Sequence, residues 1–84
     1  MITMRAKMRV TAVEEQRDGN SNVFGEELYF TAVTGKFSDD GDDEDNSYAK
    51  WSPSAELTIY VANPALFGKF KKGDTFYLDF TPAP

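Results

Sequence analysis

The densest chemistry in this sequence is a run of carboxylates. Asp39, Asp40, Asp42, Asp43, Glu44 and Asp45 put six acids into seven consecutive positions. A hard cation such as calcium wants several carboxylate oxygens, so one reading of the run is a metal loop. The spacing argues against an EF-hand. Counting from Asp40, Asp45 falls where that loop needs its glycine and Trp51 where it needs its closing glutamate. Counting from Asp42, those places go to Ser47 and Pro53. No metal site is assigned. Like charges this dense repel one another and cannot build a core, so residues 35–47 read as a solvated acidic loop. The same carboxylates suit a partner's basic surface, either by direct docking or by imitating a nucleic-acid backbone to inhibit a host protein.

A second constellation is basic. Arg5, Lys7 and Arg9 alternate with apolar residues, so an extended chain projects all three from one face at roughly 7 Å intervals. With Tyr60 and Tyr77 as stacking surfaces, such a row could track single-stranded DNA. The competing reading is pairing across the sheet with Glu56 or Asp79, which take outward positions on their own strands. The net charge of −5 favours pairing, because a nucleic-acid backbone would approach against the field of the whole molecule. Tyr48 and Trp51 form a third set. They read either as anchors of an interface or, for the Trp, as a plug for one end of a small barrel.

Catalysis has little to stand on. The chain has no His and no Cys, which removes the usual neutral-pH base, the thiolate nucleophile and the commonest zinc ligands. Gly68 and Gly73 have the spacing of a phosphate-binding loop, but in the Asp74-Thr75 pair that follows, Asp74 stands where Lys is required. The carboxylates are concentrated in the acidic run, where exposure leaves them ionised. The expectation is a non-enzymatic protein with no cofactor.

The elements that must position these groups are strands. Met4, Ala6, Met8, Val10 and Ala12 alternate with polar residues, which gives a half-buried strand over 4–12. Residues 14–22 are polar and turn-rich and read as a loop. A second strand over 26–34 has Leu28, Phe30 and Ala32 on one face and Tyr29, Thr31 and Val33 on the other. Residues 48–52 are a short strand or a return path. Ala55, Leu57, Ile59 and Val61 mark a further strand over 55–62. Asn63 and Pro64 then suit an N-cap and first helical position, with Gly68 ending the turn. After a turn at 71–74, Phe76, Leu78 and Phe80 share one face of a last strand, which Pro82 and Pro84 stop.

The expected fold is mainly all-β and a single domain over 1–84. It is a small antiparallel barrel or sandwich of roughly four to five strands, OB-like or SH3-like, with one helical turn near 64–67. Seven Phe, four Tyr and one Trp compensate for the small core of so short a chain. No run approaches the ~20 apolar residues of a membrane span, and the N-terminus lacks a signal-peptide core, so no membrane partner is expected.

Lys50 to Leu57, with its Trp51-Ser52-Pro53-Ser54 segment, the Asn63-Pro64 pair, and the final Gly73-x-x-Phe76-Tyr77-x-x-Phe80 strand carry a resemblance. Together with the basic first strand and acidic loop, the chain resembles a family of small hypothetical proteins encoded by tailed bacteriophages. The resemblance implies a setting, the bacterial host cytoplasm or the virion, and no activity for any residue. The leading expectation is a small β module that binds a phage or host protein. An OB-like single-stranded DNA binder and an acidic nucleic-acid mimic are the alternatives, and homo-oligomerisation is open because a sheet that does not close leaves edges.

Overall fold

The computed structural model describes residues 4–33, 46–48 and 54–84. Its strands are β1 (Met4–Arg17), β2 (Val23–Ala32), β3 (Glu56–Val61) and β4 (Thr75–Phe80), with a 3-10 turn at Pro64–Leu66. They form one antiparallel sheet in the order β3-β2-β1-β4. Among the described residues the sheet is open. β3 and β4 are its two edges and do not pair with each other, so the expected barrel closure is not made by these strands.

The alternation of β1 decides which face is apolar. Ala6, Met8 and Val10 are buried, and register sets Leu78 and Phe76 of β4 and Phe30 of β2 beside them. Leu28 and Val61 complete the buried set. A register shift between Val10 and Ala12 then inserts one extra residue into β1. Because side chains alternate with period two, the bulge switches parity. Val13, opposite Leu28, takes the apolar face, and Ala12, expected there from the sequence, pairs with Tyr29 on the other.

The stretch 14–22, read as loop from its polarity, is strand as far as Arg17 and a turn over 18–22. β1 runs on to Arg17, and Glu14 and Glu15 pair with Glu27 and Glu26. This is the tip of a long hairpin, where little apolar surface is needed and the backbone ladder itself holds the strands. Asp18 makes the turn: its carboxylate accepts from the amides of Asn20 (2.8 Å) and Asn22 (3.0 Å), and Ser21 sits at φ 65°. Side-chain bonds of this kind let Asp set a turn and relieve the left-handed residue beside it.

β3 and β4 lie on opposite edges, so the chain between them must cross β2 and β1. It does so over the apolar face. Asn63 caps the 3-10 turn through Oδ1 to the Ala65 amide (3.1 Å), and Gly68 follows at φ +75°, as the sequence predicts. Phe67 and Phe70 pack down on the core. Phe70 meets Phe76 at 5.0 Å between ring centroids, and both meet Phe30 edge-on at 6.5 and 6.4 Å. Such aromatic groups add about 0.5–1.5 kcal/mol per pair beyond area burial. Glu26 fixes the crossing point. Buried to 2% exposure, its carboxylate accepts from the Gly68 amide (3.2 Å) at the head of an open hollow shared with Glu15, Lys71 and Lys72. A turn with Gly73 at φ +97° then delivers the chain to β1, where the Gly73 amide donates to the Val10 carbonyl (2.8 Å) and the Val10 amide to that of Asp74 (2.9 Å).

Candidate functional site

The sheet presents two different surfaces, and each carries a candidate. On the polar face, the register sets Arg5 beside Asp79, Lys7 beside Tyr77 and Arg9 beside Thr75. Arg5 grips Asp79 with both ends of its guanidinium, Nε to Oδ1 at 2.6 Å and Nη2 to Oδ2 at 3.2 Å. The same guanidinium lies 4.5 Å from the Tyr77 ring centre. Hydrogen bonding from Arg5 holds the Asp79 carboxyl below its ordinary range. The pairing reading of the basic row therefore holds for Arg5 and Asp79. It does not extend to Glu56, which lies on the opposite edge strand.

Tyr60 is not brought to this row. It lies on β3 opposite Glu27, three strands across from β4 and roughly 20 Å along the strands from Lys7 at about 3.3 Å per residue. Its ring covers Gly25, where an added Cβ would overlap the phenol oxygen and Cζ. Tyr60 thus shields a glycine in the sheet. Its neighbourhood is acidic: Glu14 and Glu27 face each other across β1 and β2, with Tyr29 donating to Glu14 at 3.3 Å. Partial burial, and then these two carboxylates, push the Tyr29 phenol above its ordinary value. The polar face is therefore divided, with a cationic end at Arg5, Lys7, Arg9 and Tyr77 and an anionic end at Glu14, Glu27 and Tyr29.

Of the acidic run, Asp39, Asp40, Asp42, Asp43, Glu44 and Asp45 lie outside the described residues, as does Trp51. The described residues nearest the run are Val33 before it and Asn46 after it. Just after β2, the Val33 amide donates to the Lys7 carbonyl (2.9 Å), and Asn46 lies against both residues. Fully buried, Asn46 accepts from the Lys7 amide through Oδ1 (2.8 Å) and donates from Nδ2 to the Val33 carbonyl (2.6 Å). Ser47 continues along β1, its amide donating to the Arg5 carbonyl (3.0 Å) and its Oγ accepting from the Arg5 amide (2.8 Å). Val33 and Asn46 thus meet at one point, beside the cationic end of the polar face. Asn46 was invisible in the sequence, where nothing separates it from the polar residues around it.

The apolar face carries the second candidate. The crossover covers its Val10–Val13 end. At the other end, Met4, Ala6, Met8, Tyr48, Ala55, Leu57, Leu78 and Phe80 line a hollow of about 170 Å³ with Glu56 at its rim. Small residues make the depression: Ala6 and Ala55 stand where larger side chains would fill it. Tyr48, one of the expected anchors, belongs to this wall and packs against the core. Met4 and Phe80 remain 45% and 53% exposed although the alternation places both on the core side.

Among the described residues there is no group of three or more His, Cys, Asp or Glu that could hold a metal ion, and no helix long and apolar enough to cross a membrane. No family model matches the chain, and no curated protein or solved structure shows significant similarity to it.

Proposed function

We propose that this protein is a non-enzymatic β module that binds another protein through the end of its apolar face that the described residues leave open. The observation that carries the reading is the hollow between Met4, Leu57, Leu78 and Phe80. At about 170 Å³ it is below the ~300 Å³ where small-molecule and cofactor pockets begin, and it suits one large apolar side chain. A buried anchor of that kind, ringed by exposed apolar groups such as Phe80 and Met4, is how compact interfaces concentrate their binding energy. The rim glutamate Glu56 and the net charge of −5 select a partner that is basic around its anchor. The resemblance to small phage proteins supplies the setting, a phage or host protein in infected bacteria.

The test compares capture from nuclease-treated lysate of infected bacteria by the parent chain and by Phe80→Asp. Phe80 is exposed, so the variant keeps the fold. The reading requires a basic protein that the parent retains and the variant loses. Recovery of nucleic acid alone, or equal capture by both chains, overturns it.

A second reading, an OB-like single-stranded DNA binder, is favoured by one observation: Arg5, Lys7, Arg9 and Tyr77 share one end of the polar face. It requires affinity that falls linearly in log salt, with a shallower slope for Arg9→Ala. Unchanged binding by an Arg5→Ala/Arg9→Ala variant refutes it.

A further inference from the structure

We propose that β3 is a self-association edge, through which two copies of this chain pair antiparallel about Ile59 and join their sheets into one.

The direction of the backbone groups on β3 follows from its pairing with β2. Ala32 donates to the Ala55 carbonyl at 3.0 Å, and the register sets Phe30, Leu28 and Glu26 against Leu57, Ile59 and Val61. In an antiparallel ladder, bonded pairs recur at every second residue, so Leu57, Ile59 and Val61 spend their N–H and C=O groups on β2. Glu56, Thr58 and Tyr60 aim theirs outward. Among the described residues β3 has no other strand neighbour.

Edge strands of monomeric proteins are normally guarded by a lysine, a proline, a bulge or a covering segment. β3 has none of the first three: its sequence is Glu-Leu-Thr-Ile-Tyr-Val and its register with β2 is unbroken. The one bulky side chain that could screen the edge, Tyr60, leans the other way over Gly25. Ile59 is also unaccounted for. It sits on the apolar face between half-buried Leu57 and buried Val61, yet is 43% exposed.

The strand is complementary to itself. With the two-fold axis at Ile59, the two isoleucines meet as a non-bonded pair, the closer of the two antiparallel spacings at about 4.5 Å between Cα atoms. Thr58 and Tyr60 then exchange backbone bonds with Tyr60 and Thr58 of the second copy. On the apolar face, Leu57 falls opposite Val61 of the second copy on each side of the axis, so every contact there is aliphatic. Glu56, the one charge on the strand, falls opposite Ala62 rather than another acid. This is an isologous contact, which closes at a dimer. It uses the edge of the sheet opposite β4; Leu57 and Glu56 of that strand also line the apolar hollow, but the pairing needs no partner there.

Sedimentation over about a hundredfold range of concentration tests it, since mass action makes self-association concentration-dependent. Three variants accompany the parent. Thr58→Pro deletes an outward N–H and leaves the bonds to β2 intact. Ile59→Lys sets like charges against each other on the axis at an already exposed position. Thr58→Val keeps the backbone donor. The parent and Thr58→Val should move from monomer to dimer as concentration rises, with the Thr58 and Tyr60 amides gaining protection from hydrogen exchange in step. Thr58→Pro and Ile59→Lys should stay monomeric while the Leu28 and Phe30 amides keep their protection. Should Thr58→Pro unfold, Ile59→Lys decides. A parent that is monomeric throughout, or a folded Ile59→Lys that still dimerises, overturns the proposal.

Discussion

Asn46→Ala probes the point where the chain closes on itself beside β1. The Asn46 side chain is fully buried and bridges β1 to the residue after β2, serving the Lys7 amide at 2.8 Å and the Val33 carbonyl at 2.6 Å. Truncation removes two hydrogen bonds worth about 0.5–1.5 kcal/mol each and leaves a donor and an acceptor that cost about 1–3 kcal/mol apiece if they stay dry. Both groups sit near the end of the sheet, where water can recover part of this, so the expected loss is about 2–4 kcal/mol. Against a small-domain stability near the lower end of about 5–15 kcal/mol, that is a large fraction. With a urea m-value of about 1 kcal/mol/M, the midpoint should fall by about 2 M or more. Asn46→Asp separates the two bonds. It keeps the acceptor for Lys7 but faces Val33 with a carboxylate in place of a donor. Burial against a carbonyl raises the folded-state pKa of that acid above its unfolded value. Its native state is therefore supported below the ordinary carboxylate pKa of about 3.9, and that support is lost as pH rises through the folded pKa. Relative to the parent at the same pH, the Asp variant should be closest in acid and furthest at neutrality. An Asn46→Ala loss below about 1 kcal/mol, less than a single well-made buried bond with its orphaned partner, refutes the bridging role.

Three other outcomes follow from the geometry. Gly25→Ala should destabilise the parent by about 1–3 kcal/mol, because the new methyl displaces the Tyr60 ring, and should be nearly neutral in a Tyr60→Ala background; equal losses in both backgrounds exclude the contact. Phe76→Ala, in the aromatic trio, should cost about 3 kcal/mol, and Ile59→Ala, 43% exposed in one copy, about 1 kcal/mol at concentrations where the chain is monomeric; chemical denaturation reads both, and the reverse order would show the crossover packed elsewhere. Arg5→Ala should move the Asp79 titration, followed by carboxyl NMR, back up toward its ordinary value. Because the parent's folded pKa is depressed, the stability linked to Asp79 is present above the unfolded pKa and fades as pH falls through the folded one; an unmoved titration shows that the pair is not kept in solution.

Much of the fold was legible because period-two alternation is a local signal. Met4 to Val10, Leu28 and Phe30, Leu57 to Val61 and Phe76 to Phe80 were each placed on the correct face, and the Asn63 cap and Gly68 were read from residue type. The bulge after Val10 was not legible, since a one-residue insertion leaves no compositional mark and shows only in the partner strand. The hairpin tip from Glu14 to Arg17 was missed for a related reason: with no apolar face to bury, its strand character lives in backbone bonds to β2. The residues grouped as a nucleic-acid face were brought together only in part. Arg5, Lys7, Arg9 and Tyr77 come together because β1 and β4 are neighbours, and Tyr60 does not because β3 went to the far edge.

By itself, then, the sequence determined the faces of Met4 to Val10, of Leu28 and Phe30, and of β3 and β4, the Asn63 cap with Gly68, and the lack of His and Cys. These depend on side-chain period and residue chemistry over a few positions. Strand order, the path of the crossover and the hollow it leaves uncovered were decided only in three dimensions. The reason is that, among the described residues, β3 and β4 each pair with a single neighbouring strand, and no local pattern says which neighbour that is. Residues 62–74 link the two edges, and Phe67 and Phe70 pack on the core along that path, a placement no local pattern encodes.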